Sequence, residues 1–412
     1  MALYQAEKHR HKGNNRPLMK ILPIFLSLVS ILPWTGYGQM VSERIKPQLP
    51  QFVPLLPEKN DTIRISFIGD VMQHGKQIRS ALIPGKEPSD PHSYDYSAAF
   101  RHIREYITGS DLTVANMEFP VGIPPYTGYP EFSAPVSIAM EASKSGIGLF
   151  LTANNHLLDK SEAGMARTLH LYDSLGFRHT GAYRNREEEM AENPKILVIN
   201  GIKTAFLNFT YGTNGFAVPP YIINQMDSIA IKAAIKRGFE RGAELVVALP
   251  HWGEEYQLYP NGIQKKWAEM LRREGVRVII GGHPHVPQSA EIELCGQTMP
   301  ARQKIKSITF YSLGNYISNQ SIPDYTQLEL LVTITVVKDN TDGSIELLTP
   351  EYHFLWCFKA GEFEKDYTVV PIEYFLHNPS ARERVKGKEY ERMMDTYRYV
   401  ENLNLFENID RL

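Results

Sequence analysis

The sequence predicts an α/β fold around a mixed sheet, and three observations carry that prediction. First, residues 245–249 and 276–280 are short apolar runs of strand length with β-branched content. Between them Ile263, Trp267, Met270 and Leu271 recur at i, i+4, i+7 and i+8, a helical stripe that Gly275 closes as a C′ glycine does. Strand, helix, strand is a βαβ unit, so the two strands are expected to be parallel. Second, each strand ends in histidine: His251 after the first, His283 and His285 after the second. Parallel strands place those imidazoles on one rim, where α/β proteins bind ligands. Third, residues 328–337 and 345–348 alternate around the turn 340–343, as antiparallel strands do.

The N-terminus comes before the fold. Lys8, Arg10, Lys12, Arg16 and Lys20 precede an apolar run over 21–34, and Gly36-Tyr37-Gly38 offers small residues at −3 and −1 of a cut before Gln39. Residues 1–38 are therefore expected to be a secretory signal peptide, with export to the periplasm or cell envelope; Met19 is a second candidate start. A retained membrane anchor is the alternative. The run is short for a spanning helix and broken by Pro23 and Pro33, so the membrane is expected to be met only through an uncleaved signal. Residues 39–60, rich in Pro, Gln and charge, read as a linker.

The folded domain is expected over 61–376. Residues 63–68 form a first strand that ends in Gly69-Asp70. An acid there sits on the ligand rim or serves a turn or N-cap. Phe100, Ile103 and Ile107 mark an amphipathic helix, and the strand 112–117 leads to Asn116-Met117-Glu118. Alternation puts Asn116 and Glu118 on one side. Residues 119–135 carry five prolines, two glycines and two tyrosines, a long loop of the kind that forms lids or binding walls, or a plain surface excursion. A helix over 136–144 and a strand over 148–152 follow, then Asn154-Asn155-His156 and Asp159. Ser161 is expected to cap a helix bearing Met165, Leu169 and Tyr172 that stops at Gly176. Asn200-Gly201 turns a hairpin over 196–208. A loop over 211–220 and a helix over 230–241 lead into the βαβ unit. Beyond it, a strand over 308–313 ends in Gly314-Asn315-Tyr316, and 352–358 is another strand. Residues 377–412 are charged, and are expected to form a helical appendage with little apolar face on the outside.

Composition bounds the function. The 412 residues are 43% hydrophobic and 22% charged, an ordinary globular balance for one large domain plus appendages. A net charge of −2 offers no footprint for nucleic acid. Cys295 and Cys357 make no metal motif, although an oxidising compartment would let them pair. A lone histidine is usually structural. Here three converge with carboxylates and an amide, and Gly281-Gly282 lets the backbone approach something closely just before His283. Such a donor set suits one or two divalent ions of Mn, Fe or Zn.

Six motifs, in order over roughly residues 61–320, resemble the CapA family of capsule and poly-γ-glutamate biosynthesis. They are Gly69-Asp70-Val71-Met72, Asn116-Met117-Glu118, Ala153-Asn154-Asn155-His156 with Asp159, His251-Trp252-Gly253 with Glu255-Tyr256, Gly282-His283-Pro284-His285-Val286 with Gln288, and Tyr311-Ser312-Leu313-Gly314-Asn315. The resemblance implies a fold like the calcineurin-like metallophosphatases, a four-layer α/β sandwich around a two-metal site. It implies that Asp70 and His285 bind a first metal and His251 and His283 a second, that Glu118 replaces a bridging aspartate, and that Asn155 is a ligand. It makes His156 a general acid oriented by Asp159. The family histidine two positions after Asp70 is replaced by Met72, with His74 as the nearest substitute, so occupancy by one ion or two stays open. Asn116, His74, Lys76, Glu255, Tyr256 and Asn315 are candidate substrate contacts. An anionic polymer would want cations near the rim, for which Lys76, Arg79 and the tyrosine-rich loop at 126–129 are candidates.

The implied function is a metal-dependent hydrolase or transferase, cleaving a phosphoester or an amide such as a γ-glutamyl link. The alternative is a non-catalytic envelope subunit that escorts an anionic polymer to a synthase complex. Turnover separates the two.

Overall fold

The computed structural model describes residues 60–296 and 304–410. The signal peptide expected over 1–38 lies outside the described residues, as does the linker expected over 39–60 except for Asn60, which begins the first strand. Fourteen strands join in one mixed sheet. In chain order they are β1 (Asn60–Val71), β2 (Leu112–Met117), β3 (Ile147–Leu151), β4 (His179–Thr180), β5 (Lys195–Ile199), β6 (Ile202–Thr210) and β7 (Leu245–His251). Then come β8 (Val278–Ile280), β9 (Ala290–Leu294), β10 (Ile305–Phe310), β11 (Leu328–Asp339), β12 (Ile345–Leu347), β13 (Glu351–Phe358) and β14 (Thr368–Pro371). The main path runs β4-β3-β2-β1-β11-β12-β10-β8-β7-β6-β5, with β9 on β10, β13 on β11, and β14 on β13.

Two parallel blocks result. One is β1 to β4 and the other is β6, β7, β8 and β10. The antiparallel strands β11 and β12 lie between them. Every residue of β2 and β7 is buried, which is why both read as unbroken apolar runs rather than alternating ones. The β5–β6 hairpin turns at Asn200-Gly201, both left-handed at φ 42° and 82°.

The predicted βαβ unit is present, with one change. Helix Gly262–Arg273 starts at Asn261, whose Oδ1 accepts from Ile263 N at 3.0 Å and Gln264 N at 2.9 Å. The Gln264 side chain returns to Asn261 N, completing a capping box. That geometry turns Gln264 inward with Ala268 and Leu271 and leaves Ile263 exposed, so Ile263 is not on the buried stripe. Gly275 ends the helix at φ 95°.

Other expectations need correction. The helix bearing Phe100, Ile103 and Ile107 is three short pieces, Ser97–Phe100, Arg101–Ile103 and Arg104–Thr108, although all three apolar residues are buried. Ser161 is not a cap. Helix Ser161–Ser174 begins at Ser161 itself, at φ 63°, with Lys160 before it making no side-chain cap.

The C-terminal helices are not an outer layer with little apolar face. Met393, Val400, Leu405, Phe406 and Ile409 are buried in the same core as Phe67, Val114, Val247 and Val332. Met393, Tyr397 and Val400 form an i, i+4, i+7 stripe that surrounding charges hide in the sequence. Cys295 is exposed and Cys357 is buried, and both are free. No helix among the described residues is long and apolar enough to cross a membrane.

Candidate metal centre

The centre starts from a bulge in β1. Its pairing with β2 slips between Ile68 and Asp70, which frees the Gly69 N–H from the ladder. That N–H donates to Glu329 Oε1 at 3.0 Å, and Asp70 N donates to Gly314 O at 2.9 Å. A side chain at Gly69 would fall on the Gly314 carbonyl, so only glycine lets β1 meet the strand-end turn of the second block. Gly282 serves in the same way. A Cβ there would sit 2.8 Å from Asp70 Oδ1, and the His283 N–H donates to Asp70 Oδ2 at 3.1 Å. His283 and His285 both have positive φ, 95° and 59°, a strain of about 1–3 kcal/mol each that the surrounding packing holds.

These constraints gather donors from both blocks. Glu118, His251 and His283 offer ligand atoms within 4.8 Å of one another; so do Asp70, Glu118 and His285, and so do Glu255, His283 and His285. Asn116 ties the first block to the second. Its Nδ2 lies 2.7 Å from Asp70 Oδ1, 3.5 Å from Glu118 Oε2 and 3.3 Å from His251 Nδ1. Its Oδ1 accepts from Asn154 Nδ2 at 3.1 Å. Asn155 Oδ1 lies 2.8 Å from His251 Nε2.

The donor set fits a divalent cation. Glu118 Oε1, His283 Nδ1 and His285 Nδ1 are buried without a hydrogen bond. Glu118 Oε1 stands 3.6 Å from His251 Nε2 and 3.8 Å from His285 Nε2. His285 Nδ1 stands 3.3 Å from Asp70 Oδ2, close enough for an ion pair but not aligned for a hydrogen bond. Each orphaned polar atom costs about 1–3 kcal/mol in a native interior. Burial pushes Glu118 well above the usual carboxylate range, and the neighbouring Asp70 adds to the shift. Burial, and then the adjacent imidazoles, hold His251 and His283 well below the usual histidine range. Neutral imidazoles are the form that ligates metal, and a divalent ion would favour the ionised form of Glu118.

His156 stands beside this cluster. Its Nδ1 lies 2.8 Å from Asp159 Oδ2, and that same oxygen accepts the Phe132 N–H at 2.8 Å. The Phe132 ring meets His156 edge-on at 4.6 Å. One Asp159 oxygen thus meets both the imidazole and the backbone of the 119–135 loop. Phe119, Val121, Phe132 and Ala134 are buried, while Ile123 and Tyr129 at the tip are exposed.

The remaining candidates divide. Glu255 is exposed and joins a ligand group with His283 and His285. Tyr256 has its ring 6.2 Å from that of His285, and its hydroxyl accepts from Gln320. His74 is not in any of the ligand groups; its Nδ1 faces Gln77 Oε1 at 3.1 Å and Asn319 N at 3.3 Å. Lys76 is exposed, outside the cluster. Asn315 is fully buried, and its Nδ2 donates to Gln320 Oε1 and Thr326 O, so it braces a loop instead of meeting the cleft.

Four neighbours escaped the sequence. Tyr211 places its ring 4.3 Å from His283, and Asn214 Nδ2 lies 3.4 Å from His156 Nδ1. Both come from an irregular loop with no periodic signal. Asn208 Oδ1 accepts the N–H groups of Thr152 and Ala153, fixing the turn before Asn155. Glu329 sits behind Asp70, and an acid inside the apolar run of β11 was a signal available for it.

Known proteins place the chain. It is 26% identical over 325 residues to the capsule biosynthesis protein CapA of Bacillus anthracis, covering 76% of this chain and 71% of that one. It is 24% identical over 363 residues to the PGA biosynthesis protein CapA of Bacillus subtilis, covering 85% and 84%. Similar solved structures include a phosphatase from Mycoplasma pneumoniae, at 13% identity and TM-score 0.44, over 72% of this chain and 94% of that one. Another is a 5′-nucleotidase precursor from Thermus thermophilus, at 13% identity and TM-score 0.42, over 83% and 59%. The family model described as bacterial capsule synthesis protein PGA_cap matches residues 64–320, more than half the chain, and the chain belongs to that family.

Proposed function

We propose that this protein is an exported, metal-dependent hydrolase or transferase of capsule or poly-γ-glutamate metabolism. The observation that carries the proposal is the His156–Asp159 pair at 2.8 Å beside a cluster of orphaned buried ligands. Asp70, Glu118, Asn155, His251, His283 and His285 would hold the ion or ions, with Glu255 at the exposed edge. A bound divalent ion supplies Lewis-acid polarisation of the scissile group and an activated water. Asp159 holds the proton on Nδ1 of His156 and so fixes the ring. Nε2 is then free to pass a proton to the leaving oxygen of a phosphoester or the leaving nitrogen of an amide. His156 is buried, with the Phe132 ring edge-on to the imidazole. A passive polymer carrier has no use for such an oriented acid. Export rests on the charged and apolar N-terminal pattern ending at Gly38. An anionic polymer and an envelope synthase complex are the partners such a protein would meet.

The test is single-turnover hydrolysis of a phosphodiester and of a γ-glutamyl oligomer, run beside metal analysis. His156→Ala should keep its metal and lose about 10²-fold or more in turnover. His283→Ala should lose both metal and turnover. If metal-replete wild type turns over neither substrate while both variants still bind the polymer, the protein is a binding subunit.

A further inference from the structure

A cavity of about 650 Å³ lies against a wall that includes Asn319 and Ser321. On the near side of that wall, Asn319 N donates to His74 Nδ1, and Gln320 Nε2 donates to the Tyr256 hydroxyl. On the far side, the Lys359 ammonium donates to Ser318 O at 3.1 Å and to Gln320 O, and Tyr367 donates to Asn319 Oδ1. The cavity is lined by Lys76, Arg79, Lys359 and Arg392, with Glu362 and Glu389. Both carboxylates pair with Arg392, which also meets Asp324. Among the described residues, Lys76, Arg79 and Lys359 make no ion pair.

Lys359 is the unusual member. Its ammonium is held by backbone carbonyls, with no carboxylate at ion-pair distance among the described residues. Burial pulls it down to about 8. Desolvating an ammonium without a counterion is costly, and an incoming anion offsets that cost. Lys76 and Arg79 are exposed and stand one turn apart, on the same side of helix Gly75–Ala81. The volume is within the range of small-ligand sites.

We propose that this cavity is an oxyanion subsite, separate from the metal centre, in which Lys76, Arg79 and Lys359 hold a carboxylate or phosphate group of an extended ligand. Two free side-chain cations at the mouth capture the group, and the half-buried Lys359 ammonium fixes its inner oxygen. The site needs no metal and no turnover, so it stands or falls apart from the function proposed above.

The experiment is calorimetric binding of γ-linked triglutamate and of tripolyphosphate to the full chain, in low and high salt. Wild type, Lys76→Ala/Arg79→Ala, Lys359→Met and His283→Ala are compared, with metal content measured for each. The double variant should bind at least one probe roughly tenfold more weakly, with unchanged metal content, and added salt should weaken wild-type binding. His283→Ala should bind that probe as wild type does. Binding of one probe and not the other names the group and keeps the subsite. Undiminished binding by the double variant overturns it, as does loss of binding in His283→Ala, which would put the anion at the metal centre. Should Lys359→Met fail to fold, the surface double variant alone decides.

Discussion

The carboxyl of Glu329 accepts the Gly69 N–H at 3.0 Å, immediately before Asp70. The bulge in β1 takes that N–H out of the ladder, and Glu329 is what receives it. Burial pushes Glu329 well above the usual carboxylate range, and the Gly69 N–H it accepts opposes that shift. Glu329→Gln keeps an acceptor for that N–H and should melt and load metal much as wild type does. Glu329→Leu leaves a buried N–H unpaired, at about 1–3 kcal/mol, and lets Asp70 drift. It should melt lower and bind metal more weakly. Equal metal affinity in Glu329→Leu and wild type would show that the bulge holds Asp70 unaided.

Much of this centre was legible because strand ends are legible. Asp70, Asn116, Glu118, Asn155, His251, His283 and His285 each follow an apolar run, and parallel strands bring such ends to one rim. Glycines before Asp70 and His283 signalled close backbone approach, and the contacts with Gly314 and Asp70 are that approach. What stayed hidden is set by tertiary geometry. Tyr211 and Asn214 reach the site from a loop whose path no periodicity encodes. The capping box at Asn261 rotated its helix away from the stripe read through Ile263. Charges around Met393 and Val400 concealed a face that packs into the main core. Asn315, at a strand end like the others, turned to its own loop because Gln320 and Thr326 take its amide.

Metal should stabilise the fold measurably. Titrating chelated protein with Mn, Fe or Zn removes the orphaned status of Glu118 Oε1, His283 Nδ1 and His285 Nδ1. Free ion at a hundred times its Kd contributes about 2.7 kcal/mol, which should raise Tm by a few degrees. His283→Ala should show little or no rise. An equal rise in both proteins would mean that the ion binds elsewhere.

Acid should weaken the metal-free protein, and His74 gives a window. Its imidazole is lowered to about 4, chiefly by burial. The unfolded chain protonates that histidine below roughly pH 6.5, while the folded chain stays neutral until about 4. Between those values the unfolded state binds more protons, so stability falls as pH falls and the loss is complete below the folded value. At pH 5 His74 alone accounts for roughly 2 kcal/mol. His251 and His283, both lowered, steepen the decline. Urea midpoints at pH 7 and pH 5 measure it. His74→Gln should lose less stability over that interval than wild type, and identical losses would exclude His74 as a contributor.

Phe132 joins the 119–135 loop to the His156–Asp159 pair. Its N–H donates to Asp159 Oδ2, its ring lies edge-on to His156 at 4.6 Å, and it meets His74 at 5.3 Å. The loop tip is a different matter, since Ile123 and Tyr129 are exposed. Phe132→Ala should therefore cost roughly 3–5 kcal/mol of stability, the range for truncating a buried phenylalanine. It should also loosen the His156 ring, which loses its edge contact while Asp159 keeps its backbone donor. Proton NMR of the imidazole N–H reports on that ring directly: a slowly exchanging Nδ1 proton in wild type should exchange faster in Phe132→Ala. Tyr129→Ala at the tip should change neither stability nor that proton. If the Nδ1 proton is equally protected in Phe132→Ala, Asp159 alone fixes His156, and the loop contributes only packing to the core.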